Sequence, residues 1–235
     1  MHPEMPQLVA LHEVDALLLN LERSFHKLDN GDHARAALES AREDLHRAED
    51  ILRQARVRLG TAEASLKANE DKQNQHSKRL YGGTVVNTRE AEAVEHEIAT
   101  LKAAAGDLET EMLEAMDAIE TGESAVEAFK NSVAACEGEL AGTLAAYARD
   151  GAVIKGKASE TIAMRPAAVE PVSAAVLVRY DSAKARTRDT GVALLDGHTC
   201  GGCHMQVHGV AMLQLRNSTD IVTCDNCGRI LFFKG

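Results

Sequence analysis

Four of the five cysteines fall into two identical spacings, "CGGC" at 200–203 and "CDNC" at 224–227, with twenty residues between the pairs. A two-residue spacer lets a cysteine pair turn as a knuckle, and two knuckles supply the four thiolates of a tetrahedral Zn²⁺ site. Cys200, Cys203, Cys224 and Cys227 are the expected ligands of one zinc ion. Four thiolates leave no open coordination position for water or substrate, so the metal is expected to be structural. Thioredoxin-like redox chemistry would need a βαβ setting that the flanking sequence lacks. His198, His204 and His208 lie close by in sequence, but with the coordination already complete they read as surface residues.

No other stretch carries a complete catalytic pattern. "HEVDA" at 12–16 lacks the second histidine of a metalloprotease helix. "GAVIKGKAS" from Gly151 has the spacing of a phosphate loop, yet Ala158 stands where Mg²⁺ needs a hydroxyl, and a helix rather than a strand precedes it. Paired carboxylates, a nucleophile elbow and a dinucleotide turn are all missing. The chain is expected to be no enzyme and to take no small-molecule substrate.

The elements that must position the cysteines are modest. "GVALL" before the first pair and "RILFF" after the second read as short strands, giving a ribbon over 191–235. A domain of this size cannot be held by apolar burial alone, so the metal should be part of its folding energy.

Everything upstream is helical in pattern. Leu38, Ala41, Leu45, Ala48, Leu52, Ala55, Leu59, Ala62 and Leu66 alternate at spacings of three and four, the seam of a heptad coiled coil. The phase continues through Asn69, Gln73 and His76 to Leu80 with a polar seam. A second run goes from Ala91 through Val94, Ile98, Leu101, Leu108, Met112, Ile119, Val126, Phe129, Val133 and Cys136 to Tyr147. Cys136 on that seam reads as a small buried hydrophobe. Between the runs lies "RLYGGTVVNTRE", where Gly82 and Gly83 end one helix and Asn87 or Thr88 caps the next.

Two seams joined so briefly must cover each other. The expectation is a mainly α fold, a long antiparallel coiled-coil helical hairpin with a small C-terminal β zinc ribbon. Residues 1–150 form the hairpin, with its tip near 81–88 and a register break near 29–37. The break separates an earlier run, Leu11, Val14, Leu18, Leu21, Phe25 and Leu28, expected to continue the arm beyond a kink, with a full reversal into a three-helix base as the other option. Residues 151–190 are expected to be an irregular, partly helical connection broken at Gly151, Gly156, Pro166 and Pro171, with one short helix in "SAAVLVRYDSAKARTR".

Composition agrees with an elongated molecule. Only 3% of the residues are aromatic and none is tryptophan, too little for a large enzyme core. The net charge of -10 is unevenly spread: 19 basic against 31 acidic residues up to Pro171, then 7 against 5. The acidic arm should repel nucleic acid, whereas the near-neutral C-terminal part could tolerate it. No stretch has the length of a membrane span, and the first twenty residues lack a basic leader, so a cytoplasmic protein is expected.

Taken together, "LYGGTVVNTREAEAVEHEI", "LVRYDSAKARTRDTGVALLDGHTCGGCHMQV" and "IVTCDNCGRILFF" resemble the bacterial C4-type zinc-ribbon coiled-coil proteins, a domain-of-unknown-function family described as candidates for nucleic-acid binding. The resemblance spans nearly the whole chain. It implies Cys200, Cys203, Cys224 and Cys227 as zinc ligands, and adaptor or chaperone-like roles in transcription, flagellar or secretion machinery, some with RNA binding.

Two functional expectations follow. The first is a protein-protein adaptor docking a partner at the tip through Tyr81, Val85, Val86 and Asn87. The alternative is a nucleic-acid binder using Arg179, Lys184, Arg186 and Arg188 with Arg216, Arg229 and Lys234. "HGVAMLQLRNSTD" between the knuckles holds a single arginine, and phosphate contacts supply most non-specific affinity, so charge favours the adaptor.

Overall fold

Alternating spacings of three and four put one stripe of a helix against a partner, and the chain uses this rule almost throughout. The computed structural model describes residues 2–83, 85 and 87–233. Among the described residues five helices, α1 (Met5–His26), α2 (Asp32–Tyr81), α3 (Thr88–Val169), α4 (Ala174–Thr187) and α5 (Gly209–Asn217), accompany three strands, β1 (Val192–Asp196), β2 (Thr199–Cys200) and β3 (Ile230–Phe232). The chain divides into two compact units, residues 31–143 and residues 1–30 with 144–235.

In the unit of residues 31–143, α2 buries Leu38, Ala41, Ala48, Leu52, Ala55 and Ala62, all positions of the expected seam. On α3 the buried seam residues are Val94, Ala115 and Val126. Leu52 and Ala48 pack with Val126, Ile119 and Phe129. Arg42–Glu137 and Arg56–Glu123, each at 2.8 Å, record the antiparallel register. Exposed pairs of this kind contribute at most about 1 kcal/mol, so the apolar seam and not the charges holds the hairpin.

Toward the tip the seam turns polar and pairs its own groups. Gln73 Nε2 donates to Asn69 Oδ1 at 2.7 Å and to the Leu101 carbonyl at 3.3 Å, and His76 Nδ1 lies 3.1 Å from Glu97. The Gly82 amide donates to the Lys78 carbonyl, and Gly83 takes a left-handed φ of 79° that ordinary side chains resist. Asn87 then caps α3: its carbonyl accepts from the Ala91 amide at 3.0 Å, and its side-chain oxygen accepts from the Arg89 amide at 3.1 Å.

The expectation for residues 151–169 is corrected here. They are not an irregular connection, because α3 runs unbroken to Val169. Half-buried or buried Gly151, Ile154, Ala158, Thr161, Arg165 and Ala168 continue the phase of Tyr147 at spacings of four and three. α1 lies antiparallel along this stretch and supplies the packing that overrides weak local propensity. Phe25 contacts Tyr147, with ring centroids 5.9 Å apart, and Gly151 gives that phenyl ring room. Pro166 is tolerated near the helix end, where few backbone bonds remain to be lost. α1 itself stops at His26, short of Asn30, and left-handed Gly31 opens α2.

Two cores share one wall in the unit of residues 1–30 with 144–235. The sheet order is β2-β1-β3, with β1 antiparallel to β2 and parallel to β3. Because strand side chains alternate faces, Val192 and Ile230 point one way and Ala193 and Leu231 the other. Val192 and Ile230 join Met5, Leu8, Leu11, Val172, Val176 and Tyr180. Ala193 and Leu231 join Leu195, Val207, Ala211, Met212, Leu215, Val222, Cys200 and Cys224. α5 lies in the segment between the knuckles, and its Ala211, Met212 and Leu215 close the cysteine core.

Tyr180 is fully buried, and its ring lies directly on Gly191. A Cβ at position 191 would fall 2.7 Å from ring carbons and 2.9 Å from the Tyr180 carbonyl. Gly191→Ala is accordingly expected to destabilise this unit by about 1–3 kcal/mol, the usual cost of overpacking, measured as a lowered urea midpoint with unchanged slope.

Candidate metal centre

Each knuckle begins at a strand edge. The Gly201 amide donates to the Leu194 carbonyl at 2.8 Å, and the Cys224 amide donates to the Arg229 carbonyl at 2.8 Å. The turns close when the His204 amide meets the Cys200 carbonyl and the Gly228 amide meets the Cys224 carbonyl, at 2.8 and 2.7 Å. Gly228 turns with a left-handed φ of 76°.

The four sulfurs converge. All lie within 4.8 Å of one another, and the pairs Cys200–Cys227 and Cys203–Cys224 are each 3.8 Å apart. Zn–S bonds of about 2.3 Å in a tetrahedron require sulfur separations of about 3.8 Å, so the donor set fits zinc in number, chemistry and size. The two knuckles present their first sulfurs in the same way: amides of Gly202 and Cys203 face the Cys200 sulfur, and amides of Asn226 and Cys227 face that of Cys224.

The thiols are unequal without metal. Burial pushes Cys200 up to about 12 and also raises Cys224, despite those amides. A hydrogen bond from the Asn226 side chain leads in lowering Cys203 to about 6. Zinc takes its ligands as thiolates, so the buried Cys200 and Cys224 must give up their protons to it. With all four positions taken by cysteine, the ion ties the knuckles together and offers no site for a substrate. His198, His204 and His208 are exposed, as the sequence suggests.

The basic residues do not form one surface. Lys184 is drawn inward, with Nζ 2.6 Å from Asp15 Oδ2. Arg229 is buried; its Nη2 lies 2.7 Å from Asp189, and its Nε donates to the Thr190 carbonyl at 3.1 Å. A buried or internally paired cation is poorly placed to neutralise a phosphate. Arg179, Arg186, Arg188 and Arg216 are exposed, and Lys234 lies outside the described residues. At the tip Tyr81 is 82% exposed, Asn87 is exposed and spent on the cap, Val85 is half-buried, and Val86 lies outside the described residues.

Sequence reading missed Asp15, which sits between Leu11 and Leu18 on α1 and is buried. It accepts hydrogen bonds from Arg165 Nε at 2.8 Å, Lys184 Nζ at 2.6 Å and Tyr180 Oη at 3.0 Å. Burial would raise its pKa, but the bonds from Arg165 and Lys184 outweigh it and hold the carboxyl below its usual value. The available signal was a charged pair, Asp15 and Arg165, placed on otherwise apolar stripes.

An antiparallel helical hairpin carrying a four-cysteine zinc ribbon defines a structural zinc protein. The chain belongs to the CT398-like coiled coil hairpin family, whose domain matches residues 11–188, and the C4-type zinc ribbon domain matches residues 199–231. Its fold is similar to that of CT398 from Chlamydia trachomatis, with a TM-score of 0.81 at 18% identity over 97% of each chain. It is also similar to a Mycobacterium smegmatis structure, with a TM-score of 0.64 at 21% identity over 100% of each chain. The HP0958 protein from Helicobacter pylori gives a TM-score of 0.59 at 18% identity, over 99% of this chain and 98% of that one. No curated protein matches the sequence. Among the described residues no helix is long and apolar enough to cross a membrane.

Proposed function

We propose that this chain is a non-enzymatic adaptor or chaperone-like protein of the cytoplasm that grips a protein partner with the tip of its hairpin. The observation that carries the reading is Tyr81. Of three tyrosines, Tyr180 is wholly buried and Tyr147 half-buried, while Tyr81 at the tip is 82% exposed. Exposed tyrosine offers a partner a large apolar surface with a polar end at little entropic cost. The net charge of -10 and the inward pairing of Lys184 and Arg229 count against nucleic acid as the main ligand.

The test pairs two measurements. A photoreactive residue at Tyr81 should crosslink a protein in cells that the same residue at exposed Arg58 does not capture. The purified zinc-loaded chain should show no saturable binding to mixed single-stranded RNA or duplex DNA at about 150 mM salt. Saturable binding that survives such salt and weakens in an Arg179→Ala, Arg188→Ala double variant would instead place function on the C-terminal part.

A further inference from the structure

A zinc ion held by four thiolates carries two excess negative charges, and the structure sets two guanidinium groups against the knuckles. Over the first knuckle the Arg229 side chain roofs Gly202, where an added Cβ would fall 2.5 Å from its Cδ and 2.9 Å from its Nε and Nη1. Over the second, Arg186 reaches across from α4 and roofs Gly228, where an added Cβ would fall 2.7 Å from its Cζ. Glycine at 202 and 228 leaves the space each arginine side chain occupies against the turn that carries the sulfurs.

The two arginines are held differently. Arg229 is fixed by Asp189, whose other oxygen is shared with Arg23 at 2.9 Å, so the carboxylate is balanced from the α1 side. Its guanidinium also donates to the Cys227 sulfur, so it touches both knuckles. Arg186 is exposed and has no ion-pair partner among the described residues. Its position over Gly228 therefore has no carboxylate to explain it.

We propose that Arg186 and Arg229 are the outer sphere of the zinc centre, Arg186 over the second knuckle and Arg229 between the two, offsetting the charge of the tetrathiolate and lowering the reactivity of its sulfurs. Residues that hydrogen-bond or neutralise metal ligands from outside typically change metal affinity by about 10–100-fold. Arg186, read from sequence as a nucleic-acid contact, is on this view a positioning residue for the metal.

The experiment uses the full zinc-loaded chain. Iodoacetamide attacks the zinc-bound sulfurs, and released zinc is followed with a chromogenic chelator. Arg186→Met is expected to release zinc about tenfold faster than the unaltered protein, with Arg186→Lys close to the latter. In the cobalt-substituted protein, the thiolate-to-cobalt charge-transfer band should move to lower energy in Arg186→Met, because uncompensated sulfurs give up electrons more readily. Unchanged release and an unmoved band would overturn the proposal. So would equal acceleration in the Met and Lys variants together with a lowered unfolding midpoint, which would make the guanidinium mere packing. Arg229→Met also breaks the buried pair with Asp189, whereas exposed Arg186 carries the test without that complication.

Discussion

Asp15→Ala lowers the stability of the unit containing α1, α4 and the ribbon by about 3 kcal/mol, read as a shifted urea midpoint by circular dichroism. Removing one partner of a buried ion pair typically costs about 3–5 kcal/mol, because the other charges are left without compensation. Here the carboxylate is only 4% exposed, but Arg165 and Lys184 are 38% and 31% exposed and can recover water. That places the loss at the low end of the range. The Tyr180 hydroxyl is the least replaceable group, since it is buried and Asp15 is its acceptor. Asp15→Asn should recover part of the loss by accepting from Tyr180 while leaving both cations unneutralised.

The pH dependence of the same site follows from its sign. The folded pKa of Asp15 lies below the unfolded value of 3.8, so the folded state binds its proton less readily. Its stabilising contribution is complete above the unfolded pKa and is lost as pH falls through the lower folded value. Between about pH 5 and 8 the difference in stability between the unaltered chain and Asp15→Ala should be flat, and it should shrink on acidification below about pH 4. A difference that grew on acidification would show that the carboxyl is protonated in the folded protein at neutral pH.

The helical hairpin and the metal ligands were legible because both depend on short periodic patterns. Leu38 to Ala62 repeats at three and four, and two cysteine pairs repeat one spacing. What was not legible depends on partners far away in sequence. Gly151, Gly156 and Pro166 suggest an interruption to any local reading, yet α1 lies along that stretch and keeps it helical. The heptad phase did continue, but of its residues only Ile154 is large and apolar, the others being too small or polar to announce it. Arg229 looked like one more basic residue near a ribbon, until Asp189, forty positions away, fixed it inside. α5 was hidden because nine residues between turns give little periodicity, and its apolar positions are settled by the cysteine core they close.

Stripping zinc with a strong chelator, or making Cys224→Ser, is expected to unfold the knuckles, β2 and α5 while leaving the hairpin helical. Structural zinc in small domains contributes about 10–16 kcal/mol of apparent folding free energy, comparable to the whole stability of an ordinary domain. The core around Cys200 and Cys224 has only Leu195, Val207, Met212, Leu215, Val222 and Leu231 as sizeable apolar companions, too few to replace that contribution. The ribbon holds just nine helical residues, Gly209–Asn217, so the far-ultraviolet helical signal should fall only slightly. Amide exchange should separate the consequences further. Residues 199–229 should exchange rapidly without metal, α2 and the facing part of α3 should keep their protection, and α4 should show an intermediate response. That response follows from the shared wall: Val192 and Ile230 pack against Val176 and Tyr180, so losing order on one face of the strands loosens the other. If the helical signal melted together with zinc loss, the ribbon would be a keystone of the entire chain, and the division into a self-sufficient hairpin and a metal-dependent ribbon would have to be abandoned.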